Sequence, residues 1–130
     1  VTRVIDGSIA TYNLATGAVR KQTATGFIPS YHLSCRNTSR PGWCYVAPYY
    51  EAGWDSTPML REIFALKLDG TGTVERYSQT FGSANAVDLS YLRQAHAVPS
   101  PDGTGVLFAS DWGNATGQAV VDTYVAGVNP

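Results

Sequence analysis

The feature that most constrains the fold of this chain is an internal repeat. Three segments share a polar first residue, alternating apolar positions and a following turn: SIATYNLATG (Ser8–Gly17), EIFALKLDGTG (Glu62–Gly72) and DTYVAGVNP (Asp122–Pro130). Alternation with a period of two is typical of a β-strand that buries one face. The first two copies continue beyond the turn into a second strand-like run, and glycine in each turn supplies the positive φ that a tight hairpin requires.

A second repeat lies upstream of two of these segments. HLSCRNTSRPGWCYVA (His32–Ala47) matches HAVPSPDGTGVLFAS (His96–Ser110), with histidine over histidine and GWCYVA over GVLFAS. This alignment requires one inserted residue between its two halves. Self-similarity at a spacing of about 54 to 64 residues indicates tandem structural units.

Together the repeats predict four-stranded antiparallel units in tandem, which is the organisation of β-propeller blades. We expect an all-β chain of about two and a half blades. Residues 1–25 would form the outer two strands of a first blade, residues 26–82 a complete second blade, and residues 83–130 the first three strands of a third. Since a propeller usually closes with about 4–8 blades, the chain is expected to be a fragment of a longer protein or a subunit completing blades with other chains. A fragment is the simpler interpretation.

The stretch VPSPDGTGVLFASDWG, followed by VDTYVAGV, resembles the TolB-type propeller repeat. Blades of that type typically combine SPDG, an apolar strand, SD and a strand like EIFALKLDG. The resemblance extends from about Ser8 to Val128 and implies a propeller fold. It implies little about activity, because one fold hosts many functions.

Charge and hydropathy exclude two classes of partner. Nine Lys and Arg against ten Asp and Glu give a net charge of -1, so we expect no nucleic-acid binding, which needs clustered basic residues. No apolar run approaches the roughly 20 residues that span a bilayer, so no membrane span is expected.

The two cysteines, Cys35 and Cys44, flank RNTSRPGW. If their flanks pair as a hairpin with a tight loop at Thr38–Pro41, the residue numbers of partners sum to 79, and the cysteines lie directly opposite each other. This arrangement predicts a disulfide; the alternative is two buried free thiols. A disulfide would indicate a secreted or periplasmic protein.

His32 and His96 occupy the same place in successive repeats, at the start of the innermost strand. Such strands line the channel of a propeller, so both imidazoles could converge there as metal ligands or general bases. Gln94 lies on the same side as His96 by strand alternation. The alternative is a structural role inherited with the repeat, in which each histidine bonds a neighbouring blade.

QAHAVPSPDG is similar to a motif of the oligogalacturonate lyases, which are propeller enzymes. The resemblance implies that Gln94 and His96 bind a divalent metal, Mn or Ca. It also implies that His32 is a further ligand or the base that removes a sugar proton, so that His32 and His96 are the catalytic candidates.

The loop APYYEAGWDSTPM combines aromatic and acidic residues and is the main candidate binding surface. Tyr49, Tyr50, Trp54 and Asp55 suit sugar stacking or a protein contact, although they could instead cover a hydrophobic blade edge. Trp112 is expected to pack between blades.

These observations favour an extracytoplasmic binding or scaffold module that contacts carbohydrate or protein through its loop face. The first alternative is a metal-dependent polysaccharide lyase with channel histidines. The second is a structural assembly subunit, whose partners are the rest of the propeller, either missing blades or other copies of the chain.

Overall fold

A computed structural model describes residues 2–27, 31–49, 59–82, 91, 94–113 and 121–127. These residues form antiparallel strands and turns in three sheets, with no α-helix among them. The predicted all-β class is therefore confirmed. The described part of the chain also contains no helix that is long and apolar enough to cross a bilayer.

The strands follow one another along the chain without crossovers. The first sheet contains β1 (Thr2–Ile5), β2 (Ser8–Tyr12) and β3 (Val19–Lys21). The second contains β4 (Tyr31–Ser34), β5 (Trp43–Pro48), β6 (Glu62–Lys67) and β7 (Val74–Gln79). The third contains β8 (Val98–Pro99), β9 (Gly105–Ser110) and β10 (Asp122–Gly127).

Strand β1 is an addition to the two strands predicted for residues 1–25. It pairs with β2 in a hairpin that closes at Ile5 and Ser8. The two loop residues, Asp6 and Gly7, both have positive φ, at 48° and 73°. Asp-Gly with left-handed backbone at both positions is the favoured two-residue hairpin turn, so the signal for β1 was present in the sequence.

The predicted β4–β5 register and its disulfide are both confirmed. Every pair from Tyr31 with Pro48 to Ser34 with Tyr45 sums to 79. Cys35 and Cys44 continue that register one step beyond β4 and are joined by a disulfide, with Cα atoms 4.2 Å apart. The cross-link ties the turn between β4 and β5 to the centre of the second sheet, because Cys44 is fully buried.

The three sheets stack in one direction. Ile9 of the first sheet packs on the second, and Ile63, its equivalent in the second sheet, packs on the third. We call the face that carries these residues the forward face of each sheet and the opposite one its backward face. Phe64 lies on the backward face of the second sheet and contacts the first, as the alternation of a strand requires.

The cross-strand register corrects one detail of the repeat alignment. Tyr45 pairs with Ala65, whose equivalent in the third sheet is Val125, and Val125 pairs with Leu107. Tyr45 is therefore equivalent to Leu107, and the predicted match to Phe108 is wrong.

The reason lies in the hairpin between β4 and β5 and in its equivalent between β8 and β9. Tyr45 pairs with Ser34, and Leu107 pairs with Val98, so the second-sheet hairpin is longer by two residues. An odd insertion would exchange the two faces of the following strand, and an even one keeps them. His32 and His96 each lie two residues before this matched pair, so the register keeps them equivalent.

Two apolar cores hold the stack together. Ile9, Val46, Phe64 and Leu66 fill the space between the first and second sheets. A second cluster lies between the second and third sheets, and its buried residues are Tyr45, Ala47, Ile63, Ala65, Ala95, Ala97, Val106 and Phe108. The second sheet is thus buried on both faces, which explains its nearly continuous apolar strands.

A polar contact fixes the third sheet against the second. The Tyr45 and Tyr77 hydroxyls both donate to the buried carbonyl of Gly103, at 2.5 and 2.6 Å. The guanidinium of Arg40 donates to both hydroxyls, at 3.3 Å each, and pairs with Glu75 at 2.6 Å. Gly103 belongs to the SPDG turn, so this turn has a packing role in addition to reversing the chain.

Candidate functional site

The candidate site lies at one end of the second and third sheets. His32 is the second residue of β4, Tyr49 follows the end of β5, and His96 precedes β8. The segment before β8 is held against β9, because Ala109 donates its N–H to the carbonyl of Ala95 at 2.9 Å. The fold thereby brings the start of β4 close to the segment that precedes β8.

The two histidine rings are in direct contact, with centroids 3.8 Å apart and planes inclined by 34°. His32 pairs with the core residue Ala47 and so lies on the forward face of the second sheet. Val98 lies on the forward face of the third sheet, and His96 lies two residues before it. Regular strand alternation would therefore place His96 on that same face, pointing away from His32. The backbone of His96 is left-handed instead, with φ of 44°, and this break in alternation accompanies the contact.

Two tyrosines extend the ring cluster. The centroid of Tyr49 is 5.2 Å from that of His32, and the centroid of Tyr91 is 4.8 Å from that of His96. Tyr91 also meets His32 edge-on at 6.1 Å. Its side chain is 64% exposed, so the cluster opens to solvent on that side. We call His32, Tyr49, Tyr91, Gln94 and His96 the imidazole–tyrosine cluster.

Hydrogen bonds set the tautomer of both imidazoles. Nε2 of His32 lies 2.5 Å from Oε1 of Gln94, and Nε2 of His96 lies 3.2 Å from the carbonyl oxygen of Tyr91. Because both partners are acceptors, each Nε2 carries the proton and donates it. When such a ring is neutral, its Nδ1 is the atom with a lone pair.

Burial lowers the pKa of His32 below its usual value, and the charge of His96 lowers it further. The hydrogen bond that His32 donates to Gln94 opposes this shift but does not cancel it. At neutral pH His32 is therefore a neutral imidazole, the form that binds metals or accepts a proton.

The structure thus brings together four predicted site residues, which are His32, Tyr49, Gln94 and His96. The other predicted binding residues, Tyr50, Trp54 and Asp55, lie outside the described residues. Tyr91 was missed, although its place five residues before His96 could have suggested that a short turn returns it to the histidine.

Trp112, expected to pack between blades, does join two sheets. Its ring contacts Phe81, just beyond β7, and Tyr124 of β10, with centroid distances of 4.4 and 5.0 Å. Trp112 is still 55% exposed, so these contacts cover only part of its ring.

The ligand set for a metal is sparse. Among the described residues, no group of three or more His, Cys, Asp and Glu side chains comes together. His32 and His96 offer two imidazoles, and Gln94 offers an amide oxygen that is already bonded to His32. A bound metal would therefore need further ligands.

No family model, curated protein or solved structure matches this chain. The resemblances to TolB-type repeats and to oligogalacturonate lyases therefore remain predictions.

Proposed function

We propose that this protein is a carbohydrate-binding module that contacts its ligand through the imidazole–tyrosine cluster. The observation that carries the proposal is the gathering of four rings and one amide, from separate segments, at a partly exposed end of two sheets. Binding sites are commonly lined by aromatic side chains with a few polar groups that fix orientation. Sugars match that lining, because they present apolar C–H faces and hydroxyl edges.

The backbone at His96 supports the same proposal. A left-handed conformation is uncommon for a residue other than glycine. Five other described residues outside the cluster also have it, but at His96 it accompanies the contact of the ring with His32. Tyr91 forms the accessible rim, and Nδ1 of the neutral His32 ring is an acceptor for a sugar hydroxyl. Tyr49, the first aromatic residue of the predicted loop, lies inside the cluster, which suits an extended saccharide.

The proposal is tested by calorimetric titration of the protein with two probes, an oligogalacturonide and a neutral β-glucan oligosaccharide. Tyr91→Ala should weaken binding of the preferred probe by about 10-fold, the effect of losing one aromatic contact. Leu14→Ala is the matched control, since Leu14 is an exposed apolar residue outside the cluster. Unchanged affinity in Tyr91→Ala, or failure of both probes to bind, would count against carbohydrate binding and favour a protein ligand.

We propose further that the three sheets are blades of a β-propeller in a secreted or periplasmic protein. Their common stacking direction and shared strand order support the first statement, and the disulfide supports the second.

The second candidate function is that of a metal-dependent polysaccharide lyase. It is favoured by the contact of His32, His96 and Gln94, the residues that the lyase resemblance implies as ligands and base. Titration with Mn²⁺ and Ca²⁺ tests it: a bound ion should be lost in His96→Ala. If the intact protein binds neither ion and releases no unsaturated product from polygalacturonate, the lyase hypothesis is wrong.

A further inference from the structure

The forward face of the third sheet carries an apolar ladder across all of its strands. Val98 pairs with Leu107, and Leu107 pairs with Val125, so the three side chains lie side by side. They are 40%, 49% and 77% exposed. This ladder crosses the whole sheet, whereas single exposed apolar residues are normal on a protein surface.

The equivalent positions in the second sheet are covered. Tyr45 corresponds to Leu107 and Ala65 to Val125, and both are fully buried against the third sheet. In the first sheet, the forward residue Ile9 is fully buried against the second sheet. At both internal junctions, then, a forward face is covered by the backward face of another sheet.

The chain itself carries a backward face with an exposed apolar position, at the other end of the stack. In the first sheet, Ile9 points forward, so Tyr12 and its cross-strand partner Val19 lie on the backward face. Val19 is 51% exposed. Tyr12 is equivalent to Leu66, so Val19 is equivalent to Val74, the partner of Leu66 that packs against the core between the first and second sheets. At this one position the first sheet therefore carries the apolar residue that the second sheet uses in a contact between sheets.

We propose that the forward face of the third sheet binds the backward face of the first sheet in a second copy of this chain. The contact repeats between copies the stacking that joins sheets within one copy. It is a head-to-tail contact, so it produces a closed ring or an open chain of subunits, depending on the rotation between copies. This proposal is independent of the carbohydrate site.

The test is the mass of the intact protein in solution, measured by light scattering at increasing concentration. The wild-type chain should form dimers or larger assemblies. Leu107→Glu and Val19→Glu should each raise the dissociation constant by at least about 100-fold, because each buries a charge in an apolar contact. Leu14→Glu is the matched control: it adds the same charge at an exposed leucine in the β2–β3 turn and should leave assembly unchanged.

Mixing the two assembly-deficient variants, Leu107→Glu and Val19→Glu, tests whether the contact between copies is head-to-tail. Leu107→Glu keeps an intact first sheet, and Val19→Glu keeps an intact third sheet, so the mixture should form one-to-one dimers that neither variant forms alone. A wild-type chain that stays monomeric at about 100 µM overturns the proposal, since a specific contact of this kind is expected to reach at least micromolar affinity. Assembly that survives Val19→Glu but not Leu107→Glu overturns the head-to-tail geometry and indicates third sheets packed on each other.

Discussion

Replacing Tyr45 and Tyr77 by phenylalanine, singly and together, tests how the third sheet is held against the second. Both hydroxyls donate to the buried carbonyl of Gly103, and each also accepts from Arg40. Either single variant leaves the carbonyl one donor and Arg40 one tyrosine acceptor. Each should therefore lose the net value of two hydrogen bonds, about 1–3 kcal/mol.

The double variant removes both donors and leaves the carbonyl of Gly103 buried without a tyrosine partner. An unsatisfied buried acceptor costs about 1–3 kcal/mol in addition to the lost bonds. The free energy of unfolding should therefore fall by about 1–2 kcal/mol more than the sum of the single effects, which is the coupling expected for groups that share a partner.

The assay is equilibrium unfolding in urea with the disulfide intact, comparing transition midpoints at a constant slope. Tyr124→Phe is the matched control, because its ring keeps its stacking with Phe108 and Trp112; it should change stability by no more than about 0.5 kcal/mol. Additive effects of Tyr45→Phe and Tyr77→Phe would refute the shared-acceptor argument. A double variant as stable as the wild type would show that the contact does not hold the sheets together.

Three further predictions concern stability. Because the folded-state pKa of His32 lies below its usual value of 6.5, the unfolded chain binds more protons below about pH 6.5; the free energy of unfolding should fall as the pH drops through that value, and His32→Gln should remove this part of the pH profile measured in urea. A profile with the same slope in His32→Gln would contradict the assigned pKa shift. Reducing the disulfide between Cys35 and Cys44 should cost about 2–3 kcal/mol, as expected for a short closed loop, and comparison with Cys35→Ala/Cys44→Ala should give the same loss; no change on reduction would show that the loop is ordered without it. Phe64→Ala should cost about 3–5 kcal/mol by leaving a cavity between the first and second sheets, measured as a shift in the urea midpoint, whereas a cost under about 1 kcal/mol would mean that the two sheets are not closely packed.

Local pattern was sufficient to predict most of the strands. The alternating segments predicted β2, β6 and β10, and glycine-containing turns predicted the hairpins that follow β2 and β6. The disulfide was also predictable, because the position of a hairpin turn fixes which residues of the two strands lie opposite each other. The Asp6-Gly7 turn shows that one more strand could have been found by the same rule.

The candidate site was predictable only in part. The equivalence of His32 and His96 follows from the repeat, and the cross-strand register supports it. Their contact does not follow from the repeat, because strand alternation would point the two rings in the same direction. The contact occurs together with a left-handed backbone at His96, which breaks the alternation. Tyr91 joins the cluster through contacts with both imidazole rings, and no periodic pattern in the sequence predicts them.

By itself, the sequence determined what depends on near neighbours along the chain: strands, tight turns, the β4–β5 register and the cross-link. The tertiary structure alone decided which faces meet. Tyr45 and Tyr77 share the Gly103 carbonyl, His32 contacts His96, and Leu107 stays exposed where its equivalent Tyr45 is buried. The physical reason is that alternation assigns a side chain to one face of its own sheet, but what covers that face depends on the packing of residues distant in the chain.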